Sequence, residues 1–151
     1  MVMQRQSWVF STILEYPKAF AQRERKENAI GLDMYALTCR HQPAAPVDFD
    51  ADEDAVLLHG WRKHPNLQGW MERLYREKGG VHKYFNNVNL MLTTEDLDQL
   101  EADVRARRLP HTEGFFFGVS TSEDEEDDLL FITKAREALK AGLFVFYDSW
   151  W

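Results

Sequence analysis

The sequence predicts an α+β fold: a single mixed sheet of about four strands, three helices packed against it, and an N-terminal helical extension. Three observations predict it. From residue 30 onward, stretches of twofold apolar alternation trade places with stretches of 3.6-residue periodicity, in the order strand, helix, strand, helix, strand, helix, strand. The connections are short and the strands few, which favours one small mixed sheet over the parallel sheet that alternation alone would suggest. Finally, 151 residues, 44% hydrophobic and 28% charged, suit a single domain with a real core, here residues 30–151.

Residues 1–29 read as a segment of their own. Trp8, Val9, Ile13 and Leu14 recur near helical spacing, Pro17 breaks or restarts the helix, and Arg23 to Asn28 is charged. An extra helix covering a sheet edge is expected, with binding to a partner or a membrane surface as the alternative. Glu15 and Lys18 interrupt the approach to Ala19-Phe20-Ala21, so no secretory leader is expected.

Ile30 to Arg40 is the first strand. Leu32, Met34 and Ala36 alternate with Asp33, Tyr35 and Leu37, so both faces carry apolar residues and the strand is central. Gln42 to Asp54 is an acidic Pro- and Ala-containing loop. Ala55 to Leu58 leads in as a short strand or turn. Pro65 then suits a first helical turn, and Leu67, Trp70, Met71, Leu74 and Tyr75 make one apolar stripe that Gly79-Gly80 ends. Gly69 inside that helix implies either that something packs against its backbone or that the helix begins later.

Phe85 to Leu92 is expected as the second strand. Thr93 or Thr94 caps the next helix, Thr93 with Asp96 resembling a capping box; Leu97, Leu100 and Val104 form its buried stripe, and Pro110 ends it. Gly114 to Gly118 reads as a short strand whose three Phe require cover on both faces. Ser122 caps the third helix, with Leu129, Ile132, Ala135, Arg136 and Leu139 near helical spacing and Gly142 as the stop. Leu143 to Tyr147 is the last strand.

The net charge of −7 divides into +2 over residues 1–30 and −9 over residues 31–151. An acidic body argues against general binding of nucleic-acid phosphates. The lone Cys39 allows no internal disulfide and no paired-cysteine zinc site, so a reducing, cytoplasmic setting is expected. No apolar run approaches membrane-spanning length, and no membrane partner is expected.

Residue by residue, catalytic chemistry is not expected. Cys39 and His41 lie too close along a strand to meet at one point, and no G-x-S-x-G elbow occurs. His59, His64, His82 and His111 lack metal-ligand spacing and read as exposed or capping, so neither a metal nor another cofactor is expected. Glu123, Asp124, Glu125, Glu126, Asp127 and Asp128 form the densest charge run. They suit a helix's first turn, with a phosphate-mimicking patch as the functional alternative. The preferred binding surface is Trp61, Arg62, Lys63, His64, Asn66 and Trp70, joined by Asn86, Trp150 and Trp151. There, cations before a helix N-terminus and indole faces could hold a small anionic ligand.

These landmarks together resemble a phage and prophage family of small uncharacterised proteins. The matching motifs are Gly31-Leu32-Asp33-Met34-Tyr35, Trp61-Arg62-Lys63-His64, Phe85-Asn86, Leu109-Pro110, Gly114 to Gly118 and Ser149-Trp150-Trp151. Such proteins are sometimes labelled phosphoglycerate kinase. This chain is too short for that two-domain enzyme and has no glycine-rich turn to cradle phosphates. Ile30 stands where the family has its initiator Met, so residues 1–29 are either a genuine extension or upstream codons. The resemblance implies a non-catalytic accessory protein that binds a host component or small anionic ligand during infection. An enzyme acting on a nucleotide or phosphorylated metabolite and a structural homo-oligomer are the alternatives.

Overall fold

A computed structural model of the chain describes residues 31–151, and the helical extension expected over residues 1–29 lies outside them. Four strands, β1 (Asp33–Cys39), β2 (Val56–Arg62), β3 (Leu90–Leu92) and β4 (Phe144–Trp150), form one sheet in the order β2-β1-β4-β3. Three helices, α1 (Pro65–Glu77), α2 (Thr94–Arg105) and α3 (Glu123–Lys140), complete the α+β arrangement. Every strand pair is antiparallel, where a mixed sheet was expected. The reason lies between β3 and β4. Two helices, α2 and α3, pack as a pair there, so the chain returns to the end of the sheet it left.

β1 and β4 pair along their whole length, from Asp33 opposite Trp150 to Cys39 opposite Phe144. On one side of the sheet, Met34, Ala36, Leu90, Leu92, Val145 and Tyr147 meet the buried stripes of the helices. On the other, Leu37, Cys39 and Phe146 pack with Phe49 and Ala55. The acidic connector before β2 therefore has a packing task, and Phe146 takes Phe49 edge-on at 5.4 Å. Cys39 is buried.

Three strand expectations are corrected. The lead-in at Ala55 to Leu58 is the start of a full strand that runs through Arg62. A register shift opposite Ala36/Leu37 leaves Leu58 as an extra residue, so Leu58, His59 and Trp61 all reach the helix side of the sheet. The expected strand over Phe85 to Leu92 shrinks to Leu90–Leu92, because Asn87 takes φ 55° and turns the chain. Gly114 to Gly118 is a turn. Phe117 N–H donates to the Gly114 carbonyl, Phe116 sits at φ 61° and Gly118 at φ 75°. With the chain turning, cover on both faces is no longer needed. Phe117 is buried while Phe115 and Phe116 are 78% and 56% exposed.

The helices follow local chemistry. Pro65 opens α1, and Leu67, Trp70, Met71 and Tyr75 are buried. The Thr93–Asp96 capping box is present in both directions. Ser122 makes no side-chain cap to α3; the Asp124 carboxylate instead accepts the Thr121 N–H at 2.7 Å. The buried face of α3 is Asp128, Phe131, Ile132, Ala135 and Ala138, one step around from the expected stripe, with Leu129 and Leu139 half-buried. No helix of the described residues is long and apolar enough to cross a membrane.

Gly69 is explained by Thr112. A Cβ on Gly69 would lie 1.9 Å from Thr112 Oγ1, so α1 needs a bare backbone where the loop after α2 crosses it. Gly69→Ala should therefore destabilise by about 1–3 kcal/mol despite the better helix former. Adding Thr112→Ala should recover part of the loss in a denaturant-melt double-mutant cycle; additive effects would show that the contact is not the cause.

Candidate functional site

The organising residue is one the sequence placed in a surface charge run. Asp128 lies on the buried face of α3 at 1% exposure. Its Oδ1 accepts the Trp61 indole N–H at 3.0 Å and its Oδ2 meets His64 Nε2 at 2.8 Å. Removal from water pushes its carboxyl above the usual range, and the hydrogen bonds from His64 and Trp61 pull the other way.

Local folding explains how these groups meet. β2 ends at Arg62, and Lys63 takes φ 54° while its N–H donates to the Leu32 carbonyl. That turn delivers His64 to the N-cap position of α1, but the ring makes no cap. It points beneath α3, with Nδ1 2.7 Å from Ser120 Oγ. Ser120 supplies the cap instead, accepting the Asn66 N–H at 3.0 Å. Since an ionised Asp128 only accepts, His64 carries its proton on Nε2 and Nδ1 accepts from the Ser120 hydroxyl. Four segments converge here: β2, the start of α1, the loop before α3, and α3 itself.

The expected binding residues divide among three places. Trp61 and Trp70 are core residues at 7% and 4% exposure. Trp61 meets Phe131 at 4.8 Å and His59 at 4.6 Å. The Trp70 indole N–H donates to Asp103 Oδ2 at 2.9 Å. Burial works against the Asp103 charge, but donors from Trp70, Gln99 and Arg108 outweigh it and hold that carboxyl below its usual range. Arg62 is exposed and stands 3.7 Å from Asp33. The Lys63 side chain runs along Gly31 and Gly118, where an added Cβ would lie 3.0 and 2.8 Å from it. Asn66 Oδ1 accepts the Thr112 N–H.

Trp151 and Asn86 do meet. Asn86 donates to the Trp151 carbonyl at 3.0 Å and accepts its N–H at 3.1 Å, and the Trp151 indole N–H donates to the Phe85 carbonyl. The Trp151 ring contacts Phe117 at 5.5 Å and Tyr84 at 6.2 Å. Trp150 is half-buried on β4. The Trp151 indole thus joins the Phe115–Phe117 turn, while Trp61 and Trp70 stay in the core.

The histidines correct another expectation: His59 and His64 are buried, at 7% and 2% exposure. The acidic run is not one patch either. Asp124 holds the Thr121 N–H, Glu125 stands 3.5 Å from Arg107, Asp127 3.1 Å from His59, and Asp128 is interior; Glu123 and Glu126 are exposed. Among the described residues, no three His, Cys, Asp or Glu side chains are placed to hold a metal ion.

A cleft of about 250 Å³ opens onto Ser120 and His64, walled by Val104 and Leu109 and rimmed by Arg107, Asp124 and Glu125. Neither Arg62 nor Lys63 lines it. A larger acidic groove of about 770 Å³ runs between the connector, through Asp48, Asp50, Asp52 and Glu53, and the Asn86–Asn89 segment. Compared with known proteins, the chain matches no family model, no curated protein and no solved structure.

His59 yields a pH prediction. Burial, with Lys134 Nζ 3.1 Å from its Nδ1, lowers its pKa, while Asp127 opposes the shift. A histidine held neutral in the fold binds fewer protons than in the unfolded chain. Its contribution is therefore complete above the unfolded value of 6.5 and is lost as pH falls through the lowered folded value. Urea midpoints of the wild type should fall on acidification below pH 6.5, and His59→Gln should flatten that dependence. An identical slope in the variant would remove His59 as the cause.

Proposed function

We propose that the protein is a binding protein that takes a host protein on the aromatic surface built from Phe115, Phe116, Val119, Tyr84 and Trp151. The observation that carries this reading is Phe116. A bulky residue at φ 61° is strained by about 1–2 kcal/mol, and its ring is nevertheless 56% exposed. The ring's own packing does not offset that strain, which the surrounding loop must hold, and functional surfaces are where such strain concentrates. Phe115 lies against it, with ring centroids 4.1 Å apart, and Val119 is 78% exposed.

The surroundings specify the partner's chemistry. The Lys63 stem packs beside Gly118, and Lys83 Nζ lies 5.2 Å over the Tyr84 ring. Cations flanking exposed aromatic rings favour a partner that is apolar and acidic, and aromatic anchors commonly dominate such interfaces. The sequence's resemblance to small phage and prophage proteins supports a bacterial host as the source of that partner. Capture of a small anion by Arg62, Lys63 and His64 is the weaker reading, because these side chains diverge and carboxylates rim the cleft beside His64.

The test is a paired measurement on Phe115→Ser/Phe116→Gly. Relief of the strained φ should leave stability unchanged or raise it by about 1 kcal/mol. In affinity capture from host lysate, wild type and a Leu130→Ser control should retain the same partner, and the double variant should lose it. Calorimetry with that purified partner should show roughly 100-fold weaker binding. Equal retention by the double variant would overturn the assignment.

A further inference from the structure

We propose that Ser120, His64 and Asp128 form a nucleophilic acyl-transfer site that cleaves small, non-anionic esters. The chain of bonds runs from Ser120 Oγ to His64 Nδ1 at 2.7 Å and from His64 Nε2 to Asp128 Oδ2 at 2.8 Å. A nucleophile, a base within reach of its proton, and a third group orienting the base are the parts that serine activation requires. The ring is used in the opposite sense to the familiar hydrolase triad, where Nε2 faces serine. The chemistry needs only that one nitrogen accept while the other donates, and Asp128, anchored by Trp61, enforces that tautomer.

Position completes the case. All three side chains line the cleft, His64 and Asp128 at its buried floor and Ser120 half-buried above them. The Asn66 N–H already donates to Ser120 Oγ at 3.0 Å and fixes where that oxygen points. The cleft limits the substrate. About 250 Å³ between Val104 and Leu109 suits a short acyl group; Arg107 meets Glu125 at 3.5 Å, and Asp124 beside His64 repels an acidic one. Asp124 Oδ2 also lies 3.6 Å from His64 Nδ1, where it stabilises the imidazolium formed during attack.

In the first step, the Ser120 oxygen bonds to the ester carbonyl carbon and its proton passes to His64 Nδ1. The ester C–O bond then breaks, and the departing alkoxide takes that proton from His64. Water attacks the acyl-serine in the same way, giving the carboxylic acid and restoring the Ser120 hydroxyl. The two readings share a loop, Val119 adjoining Ser120, but they use different groups, so failure of either leaves the other intact.

A fluorophosphonate probe tests it on the full chain. Its phosphorus should bond to Ser120 Oγ with loss of fluoride, giving one adduct by intact mass that peptide mapping places at Ser120. Ser120→Ala should give no adduct, and His64→Gln should slow labelling roughly 100-fold. Para-nitrophenyl acetate should be hydrolysed faster than the para-nitrophenyl monoester of succinate. Should His64→Gln not fold, Ser120→Cys serves instead: a thiol beside an imidazole should alkylate with iodoacetamide roughly 10-fold faster than free glutathione. Absent labelling of wild type, equal labelling of Ser120→Ala, or alkylation of Ser120→Cys no faster than glutathione would each overturn the proposal, since a serine that only caps α1 is inert in all three.

Discussion

A single buried carboxylate sets the geometry of this protein. Asp128 sits in the interior, where an unsatisfied charge costs several kcal/mol, and its two oxygens are met by donors on either side of the turn between β2 and α1. Trp61 fixes the end of β2 against α3. His64 fixes the start of α1 against the same helix. Through Ser120 the network also holds the loop that precedes α3. Once those contacts are made, the position of α1 over the sheet leaves little freedom, because Gln68 reaches both the Phe85 carbonyl and Ser149 Oγ at the far end of β4.

That loop links the core network to the exposed aromatic end. From Leu109 it crosses α1 at Gly69, turns at Gly114–Phe117, and returns to plug the start of α1 with Ser120. Asn66 holds it twice, through Thr112 and through Ser120. Both ends are thus fastened to rigid helix, while Phe115 and Phe116 project between them. A loop anchored in this way can hold a strained φ at Phe116 that a loosely tethered one would relax.

Much of this could be read from the residues, and the failures have physical causes. The α+β class, the central first strand, the Thr93 capping box and the packing demand at Gly69 follow from short-range rules, which need no knowledge of partners. β2 was underestimated because its alternation is broken by a bulge at Leu58, where the period of two fails. The Phe triplet looked like a strand because β-propensity counts aromatics and cannot see a positive φ at a Phe. Asp128 was hidden for a different reason. In a run of six acidic residues each looks alike, and only the helical phase of α3 distinguishes the one facing inward. Phe131, three residues on, and Ile132, four residues on, carry that phase and were the available signal. The pairing of His64 with Ser120, across 56 residues, is a tertiary event with no local signature.

The most direct measurement is side-chain nitrogen NMR of the native chain. A long-range proton–nitrogen correlation of the imidazoles should show His64 as the Nε2–H tautomer at neutral pH. The Trp61 indole proton should exchange with solvent as slowly as the β1–β4 amides. An Nδ1–H tautomer at His64, or rapid exchange at Trp61, would mean that Asp128 does not hold these two elements together.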